Sequence, residues 1–441
     1  MAKETDVLHF KDRLILLVIV LFLIGILFCS ICLPINITIL VSSFFLIFLM
    51  MLFLLIYIEL GNFGKAKIAL NYPSMSIVMP VYNSKNTIKQ AINSIKNIDY
   101  PKKIEFIVVD DCSTDGSREY LETVKGIKLI KLKKNLGKAD AMNEGLKHVK
   151  TELVACIDSD TYPEKDVFSK IVGYFENEKV GAVTCLILPD KKKNLIQKLQ
   201  YYEYLLSFGL WTTCLSFIDS LAMIPGPMTI FRKKCFNEMG GYDSANLTED
   251  MEIALRLQKF NYKIVSCYEA KAYTDIPDTL QKLIKQRDRW YRGRVFNLIK
   301  YKSLFFNKNN IDLGFFSLPY IFSLELISLV FLFRLIIMLL SNSFNFLLIR
   351  INLINYSDPF FVSFSSDFFS SINIFLFFSY LFIFIFTMIG LNLGNQKIKI
   401  SDVPAIFLNI LLFPLFVSTV YFFAFVKELF GVKGKWVRVS T

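Results

Sequence analysis

Apolar residues crowd toward both ends of this chain, while its middle alternates short apolar runs with helix-period patterns. Residues 14–33 are uniformly apolar or small, Pro34 breaks the run, and residues 37–58 continue without a charge. Each stretch is about 20 residues, enough to cross a hydrocarbon core of roughly 30 Å. They follow one another closely with no small-residue cleavage site between them, so residues 1–60 read as an anchoring transmembrane hairpin rather than a removable leader. The pattern returns at residues 315–340, 372–391 and 403–426, within a C-terminal membrane region over 313–428 that a basic cytoplasmic tail, 429–441, follows.

The middle of the chain is long enough for one substantial core. Runs at 76–80 (SIVMP), 105–109 (EFIVV), 127–132 and 153–157 predict buried strands, and 86–98 and 138–149 repeat apolar residues at helical spacing. Strands alternating with helices predict a parallel α/β sheet over 61–275, with ligands bound beyond the carboxyl ends of its strands. Asp110 and Asp111 close one such strand, and Asp158 and Asp160 follow another. Paired carboxylates in a crevice are hard oxygen ligands for Mg2+ or Mn2+, although a helix cap followed by a solvated acid has the same letters.

Further along, Asn135-Leu136-Gly137-Lys138 ends a strand and opens a helix, which places backbone N–H groups and a lysine where phosphate could sit. Thr248-Glu249-Asp250 precedes an apolar helical segment; on these residues alone it is either a cap or a carboxylate set at a helix start. Gln286-Arg287-Asp288-Arg289-Trp290 lies in a basic, helix-period stretch, 279–306, predicted to form amphipathic helices on the inner leaflet within a 276–312 interfacial unit. Snorkelling arginines with a tryptophan anchor would produce the same pattern.

Net charge is +12, from 50 basic and 38 acidic residues. The lysines and arginines gather beside the apolar runs, which fits anionic membrane lipids and the positive-inside rule, so no nucleic-acid partner is expected. Lys65 and Lys67 after the hairpin, with Lys282, Lys285, Arg287, Arg289, Arg292 and Arg294 before the next span, assign the middle domain to the cytoplasm. Only two histidines occur, His9 and His148, which argues against Ser/His/Asp catalysis and a histidine-rich zinc site. The eight cysteines show no disulfide spacing.

Taken in order, PVYNS, VVDDCSTDGS, NLGKADAMN, IDSD, TED and QRDRW resemble glycosyltransferase family 2, specifically its processive membrane synthases, over residues 74–292. The resemblance implies a Rossmann-like α/β GT-A domain inserted between transmembrane helices of a multi-pass plasma-membrane protein. It implies an inverting transfer from a UDP-sugar, most readily UDP-N-acetylglucosamine, onto a growing β-linked polysaccharide that the enzyme then moves across the membrane. Pro80, Tyr82, Asp110, Asp111, Lys138 and Asp158 would line the nucleotide site, and Asp160 with Asp158 would hold the metal. Asp250, beside Glu249, would be the catalytic base; Gln286, Arg289 and Trp290 would meet pyrophosphate and acceptor sugar. One departure is Ser84, where many relatives carry an acid after PxYN.

Ile224-Pro225-Gly226-Pro227 is expected before a strand, at the acceptor entrance. In the membrane half, Glu325 and Arg334 are nine residues apart, on opposite helix faces at about 100° per residue. Glu325 is therefore expected to face the bundle interior, with a channel role or with a partner on another helix. Five spans would leave the basic tail outside, so residues 344–364 are a candidate re-entrant or weak crossing. The competing reading is transfer of one sugar to a lipid or lipid-linked acceptor, and a small accessory membrane subunit is compatible with either.

Overall fold

The computed structural model describes residues 47, 48, 50–325, 329, 332, 333, 336, 337, 340 and 371–432. The first apolar run, residues 344–364 and the tail beyond 432 lie outside these. Eight strands form one sheet in the order β3-β2-β1-β4-β7-β6-β8-β5. They are β1 (Met75–Val81), β2 (Glu105–Asp110), β3 (Lys128–Lys131), β4 (Leu153–Ile157), β5 (Thr161–Pro163), β6 (Val180–Pro189), β7 (Met228–Arg232) and β8 (Lys263–Thr274). The longer helices are α1 (Met50–Glu59), α2 (Ile88–Lys96), α3 (Lys138–Leu146), α4 (Leu195–Tyr204), α5 (Glu249–Lys259), α6 (Leu280–Lys300), α7 (Ser371–Leu393), α8 (Val403–Leu411) and α9 (Phe413–Leu429).

β1, β4 and β6 are buried along their whole length, as continuous apolar runs covered on both faces should be. α2 turns Ile88, Ala91, Ile92 and Ile95 inward, the stripe that its spacing predicts. β3, β2, β1 and β4 are parallel, as expected, but the remaining half of the sheet is mixed. β7 runs antiparallel to both β4 and β6, and β5 antiparallel to β8. The reversal arises at Pro225-Gly226-Pro227: the Pro227 carbonyl accepts from Asp158 N–H at 2.9 Å, so β7 starts where β4 ends. That leaves the carboxyl ends of β1, β2, β4, β6 and β8 and the start of β7 along one edge.

α3 lies so close to the sheet that a Cβ at Gly145 would sit 2.4 Å from Val78 Cγ1 and 3.1 Å from Val109 Cγ2. Its first residue, Lys138, is thereby fixed beside the end of β4. C-terminal to the sheet, α6 packs lengthwise on α9 through Tyr291, Val295, Tyr421 and Phe425. Among the described residues no single helix is long and apolar enough to cross a bilayer, whereas Ile400–Leu411 and Phe413–Leu429, bent by 46°, meet the length and composition together. Gly145→Ala should therefore push α3 off the sheet at a cost of about 1–3 kcal/mol. A lowered thermal midpoint of the purified protein is the expected readout, and an unchanged one would contradict this packing.

Candidate active site

A cavity of about 230 Å³ opens at that strand edge, and Asp160 and Asp250 both line it. So do Pro80, Tyr82, Asp111, Lys138, Asp158, Glu249, Gln286, Arg289 and Trp290. Motifs scattered from residue 80 to residue 290 thus converge on one chamber.

At its centre is Lys138. Its Nζ donates to Asp158 at 2.7 Å and to Glu249 at 2.9 Å, joining the end of β4 to the start of α5. Burial alone would lower the lysine's pKa, but the two carboxylates outweigh it and hold the ammonium above its usual value. Burial would also raise Glu249, yet Lys138 and Arg289 keep it below the ordinary range. Asp158 goes the other way, pushed up by burial with the Asp160 charge adding to it. Asp250 is raised to about 6, first by burial and then by Glu249, against the opposing pull of Arg289 and Lys138.

Two placements differ from the simplest expectation. Asp110, fully buried, accepts from Arg118 Nε at 2.5 Å and from Ser113 N–H at 3.3 Å, and it is not among the cavity-lining residues. Asp111 reaches the wall, and its carboxylate takes the N–H groups of Leu136 at 2.7 Å and Gly137 at 2.9 Å. The backbone donors before Lys138 therefore cradle a carboxylate of the protein. Thr248 also acts otherwise than as a side-chain cap: its hydroxyl accepts from Asn297 Nδ2 at 3.0 Å, which ties α5 to α6. This approach needs Gly293, where a Cβ would lie 2.2 Å from Thr248 Oγ1.

α6 presents Gln286, Arg289, Trp290, Tyr291 and Arg294 to the cavity. Arg289 donates to the Leu247 carbonyl at 3.2 Å. Arg287 is completely buried, which overturns the picture of a snorkelling side chain. On another face of the helix, Arg292 pairs with Glu428 at 2.6 Å and Asp288 with Lys427 at 2.7 Å, both on α9. Glu325 is buried and pairs with Arg294 at 2.9 Å, so it has a partner on another helix; Arg334 lies outside the described residues.

The sequence motifs do not include Glu203, Tyr204, Ser207 and Phe208, yet all four line the cavity. They sit at the end of α4 and in the π-helix Leu205–Trp211 that follows, a local widening common at functional sites. Asp275, after β8, also lines the wall and accepts from Tyr162 at 3.2 Å.

The lining carries seven carboxylates against three cationic side chains, a surplus that a divalent cation would offset. Among the described residues no three His, Cys, Asp or Glu side chains cluster into a complete metal site. Asp160 lines the cavity near Asp158, whose carboxylate is engaged by Lys138; Mg2+ commonly takes only one or two protein carboxylates and completes its shell with substrate phosphates.

The profile described as "Glycosyl transferase family 2" matches residues 76–240. A poly-beta-1,6-N-acetyl-D-glucosamine synthase from Staphylococcus epidermidis is 32% identical over 223 residues, covering 50% of this chain and 54% of that protein. Its Staphylococcus aureus counterpart is 29% identical over the same shares. The chain thus spans about half the length of the curated relatives it matches. A mannosyltransferase from Pyrobaculum calidifontis, solved in complex with GDP-Man and Mn2+, superposes with a TM-score of 0.52 at 17% identity, covering 90% of this chain and 98% of that one. This last likeness concerns the fold alone, a GT-A-like α/β domain. TED and QRDRW lie beyond residue 240 and are joined to the matched part by the cavity itself. Residues 76–240 thus resemble glycosyltransferase family 2, and half of the chain is similar to half of the poly-beta-1,6-N-acetyl-D-glucosamine synthases.

Proposed function

We propose that the chain transfers a hexosyl group from a UDP-sugar, UDP-N-acetylglucosamine, to the end of a growing β-linked polysaccharide, with inversion, and passes the product across the membrane. The observation that carries this reading is the shared chamber: Asp160 and Asp250 line one cavity, with Lys138 joining the elements that bear them. The similarity to poly-beta-1,6-N-acetyl-D-glucosamine synthases supports the choice of sugar and of a polymeric product.

In this reading Pro80, Tyr82 and Asp111 wall the nucleotide, and Asp110 acts at one remove by holding Arg118. Asp160, with Asp158, would hold Mg2+ or Mn2+, which would supply positive charge to the departing diphosphate. The Asp250 carboxylate takes the proton of the acceptor hydroxyl as that oxygen bonds to the anomeric carbon. The bond from that carbon to the diphosphate breaks in the same displacement, hence the inversion. Arg289 faces the pyrophosphate, and the Gln286 amide and Trp290 indole receive the acceptor sugar. The apolar runs at 14–33 and 37–58, the run at 315–340, α7 and the bent pair α8–α9 embed the protein in the plasma membrane, with the sheet on the cytoplasmic side.

Asp250→Asn should lower UDP release and transfer by roughly 10²- to 10⁴-fold, the usual worth of a positioned base. Equal rates in the two proteins would remove the catalytic assignment. Because the Asp250 pKa is raised to about 6, activity should fall as pH drops through about 6 and the carboxylate takes up its proton. Lys138→Met, which removes a charge that opposes this rise, should move the acid limb to higher pH. Chelation with EDTA should abolish turnover, and Mg2+ or Mn2+ should restore it. Sizing the radiolabelled product made from UDP-N-acetylglucosamine tests the polymer: a product that never exceeds one sugar on a lipid would replace it with single transfer.

A further inference from the structure

We infer that Glu203 is a positioning residue of the acceptor wall: through Arg287 it sets the orientation of the Gln286 amide and the Trp290 indole. The inference rests on the function proposed above and concerns two side chains that no motif reading assigned.

Arg287 is 0% exposed, and its Nη2 donates to the Glu203 carboxylate. Its Nη1 donates to Gln286 Oε1 at 2.6 Å, and its guanidinium carbon lies 4.0 Å from the centre of the Trp290 ring. Its Nε is buried with no hydrogen-bond partner among the described residues. Each contact has a consequence for the cavity. With Gln286 Oε1 occupied, the amide nitrogen is the end of that side chain left to donate to a sugar hydroxyl. With the guanidinium covering one face of the indole, the other face is the one left for a pyranose ring to stack on. The neighbouring Tyr204 ring, 6.5 Å from Trp290 and tilted by 34°, adds a second aromatic surface to the same wall.

Stability alone is a poor explanation for this pair. Burying a guanidinium against a partly exposed carboxylate between α4 and α6 costs desolvation that apolar side chains of similar volume would avoid, so such a pair is a weak device for holding helices together. Their strength is direction, because a planar fork held by a carboxylate permits few orientations. Glu203 itself lines the cavity at the point where α4 passes into the π-helix Leu205–Trp211, so its placement and that of Ser207 and Phe208 depend on one backbone feature. Without the carboxylate, Arg287 would keep a buried charge with no counter-ion and would turn toward another acceptor, taking the Gln286 amide and the indole face with it.

The test uses the full chain carrying 5-fluorotryptophan. It has three tryptophans, Trp211, Trp290 and Trp436, and loss of a signal in Trp290→Phe assigns that resonance. Trp211 packs edge-on to Phe53 at 4.0 Å and serves as an internal control for folding. Glu203→Gln and Arg287→Lys should shift the Trp290 resonance and leave that of Trp211 in place. With UDP-N-acetylglucosamine, kcat for transfer should fall roughly ten- to hundred-fold while the donor KM stays within about two-fold, as expected when the acceptor side alone is misplaced. Glu203→Asp, which keeps the charge, should recover part of kcat. An unmoved Trp290 resonance in both variants, or full kcat despite a shifted one, would overturn the inference. Should Glu203→Gln also disturb Trp211, Glu203→Asp and Arg287→Lys decide the outcome. If the unaltered protein turns over no UDP-sugar, the proposed function fails, whereas the fluorine spectra still decide the Glu203 relay.

Discussion

One buried ammonium organises this molecule. Lys138 begins a helix pressed against the sheet and meets carboxylates from two other elements, Asp158 after β4 and Glu249 at the start of α5. Removing one partner from such a group leaves an uncompensated buried charge, which costs about 3–5 kcal/mol. Lys138 cannot be a passive strut, because its field also bears on Asp250 and helps keep that carboxylate ionised at neutral pH. The same contact therefore closes the fold and sets the proton affinity of the group beside it.

Around this centre the sheet and α6 divide the work. The strand edge supplies the acidic half of the chamber, and its reversal at Pro225-Gly226-Pro227 brings those three residues opposite the Asp158 loop. α6 supplies arginines and an indole, with Asn297 tying it to the start of α5 through Thr248. Ion pairs recur along this helix, buried at Arg292 and partly buried at Arg287 and Arg294. Charged side chains inside a wall of a polar cavity specify geometry more than they stabilise it.

Much of the chamber was legible in the chain. β1, β2 and β4 are apolar runs buried on both faces, so each announces itself locally, and the acids that follow them must emerge at one edge if the strands are parallel. The directions of β5 to β8 were not legible, because a run such as 180–189 is apolar without a period and encodes neither its neighbour nor its sense. Asp110 illustrates a second limit: adjacent to Asp111 in sequence, it turns inward to Arg118, and alternation of side chains across a strand end decides this rather than residue type. Arg287 is a third case, since a basic residue on a helix-period stretch looks solvated until Glu203, from a segment without any motif, is seen to cover it.

α6 is a single uninterrupted rod of 21 residues, with Trp290 on one flank and the partners of α9, Asp288 and Arg292, on another. A helix transmits torsion along its whole length, because its backbone hydrogen bonds forbid one turn from rotating independently of the next. The two ion pairs to α9 therefore sit on the same rod that carries the indole, so the membrane-side helix and the acceptor wall share one element.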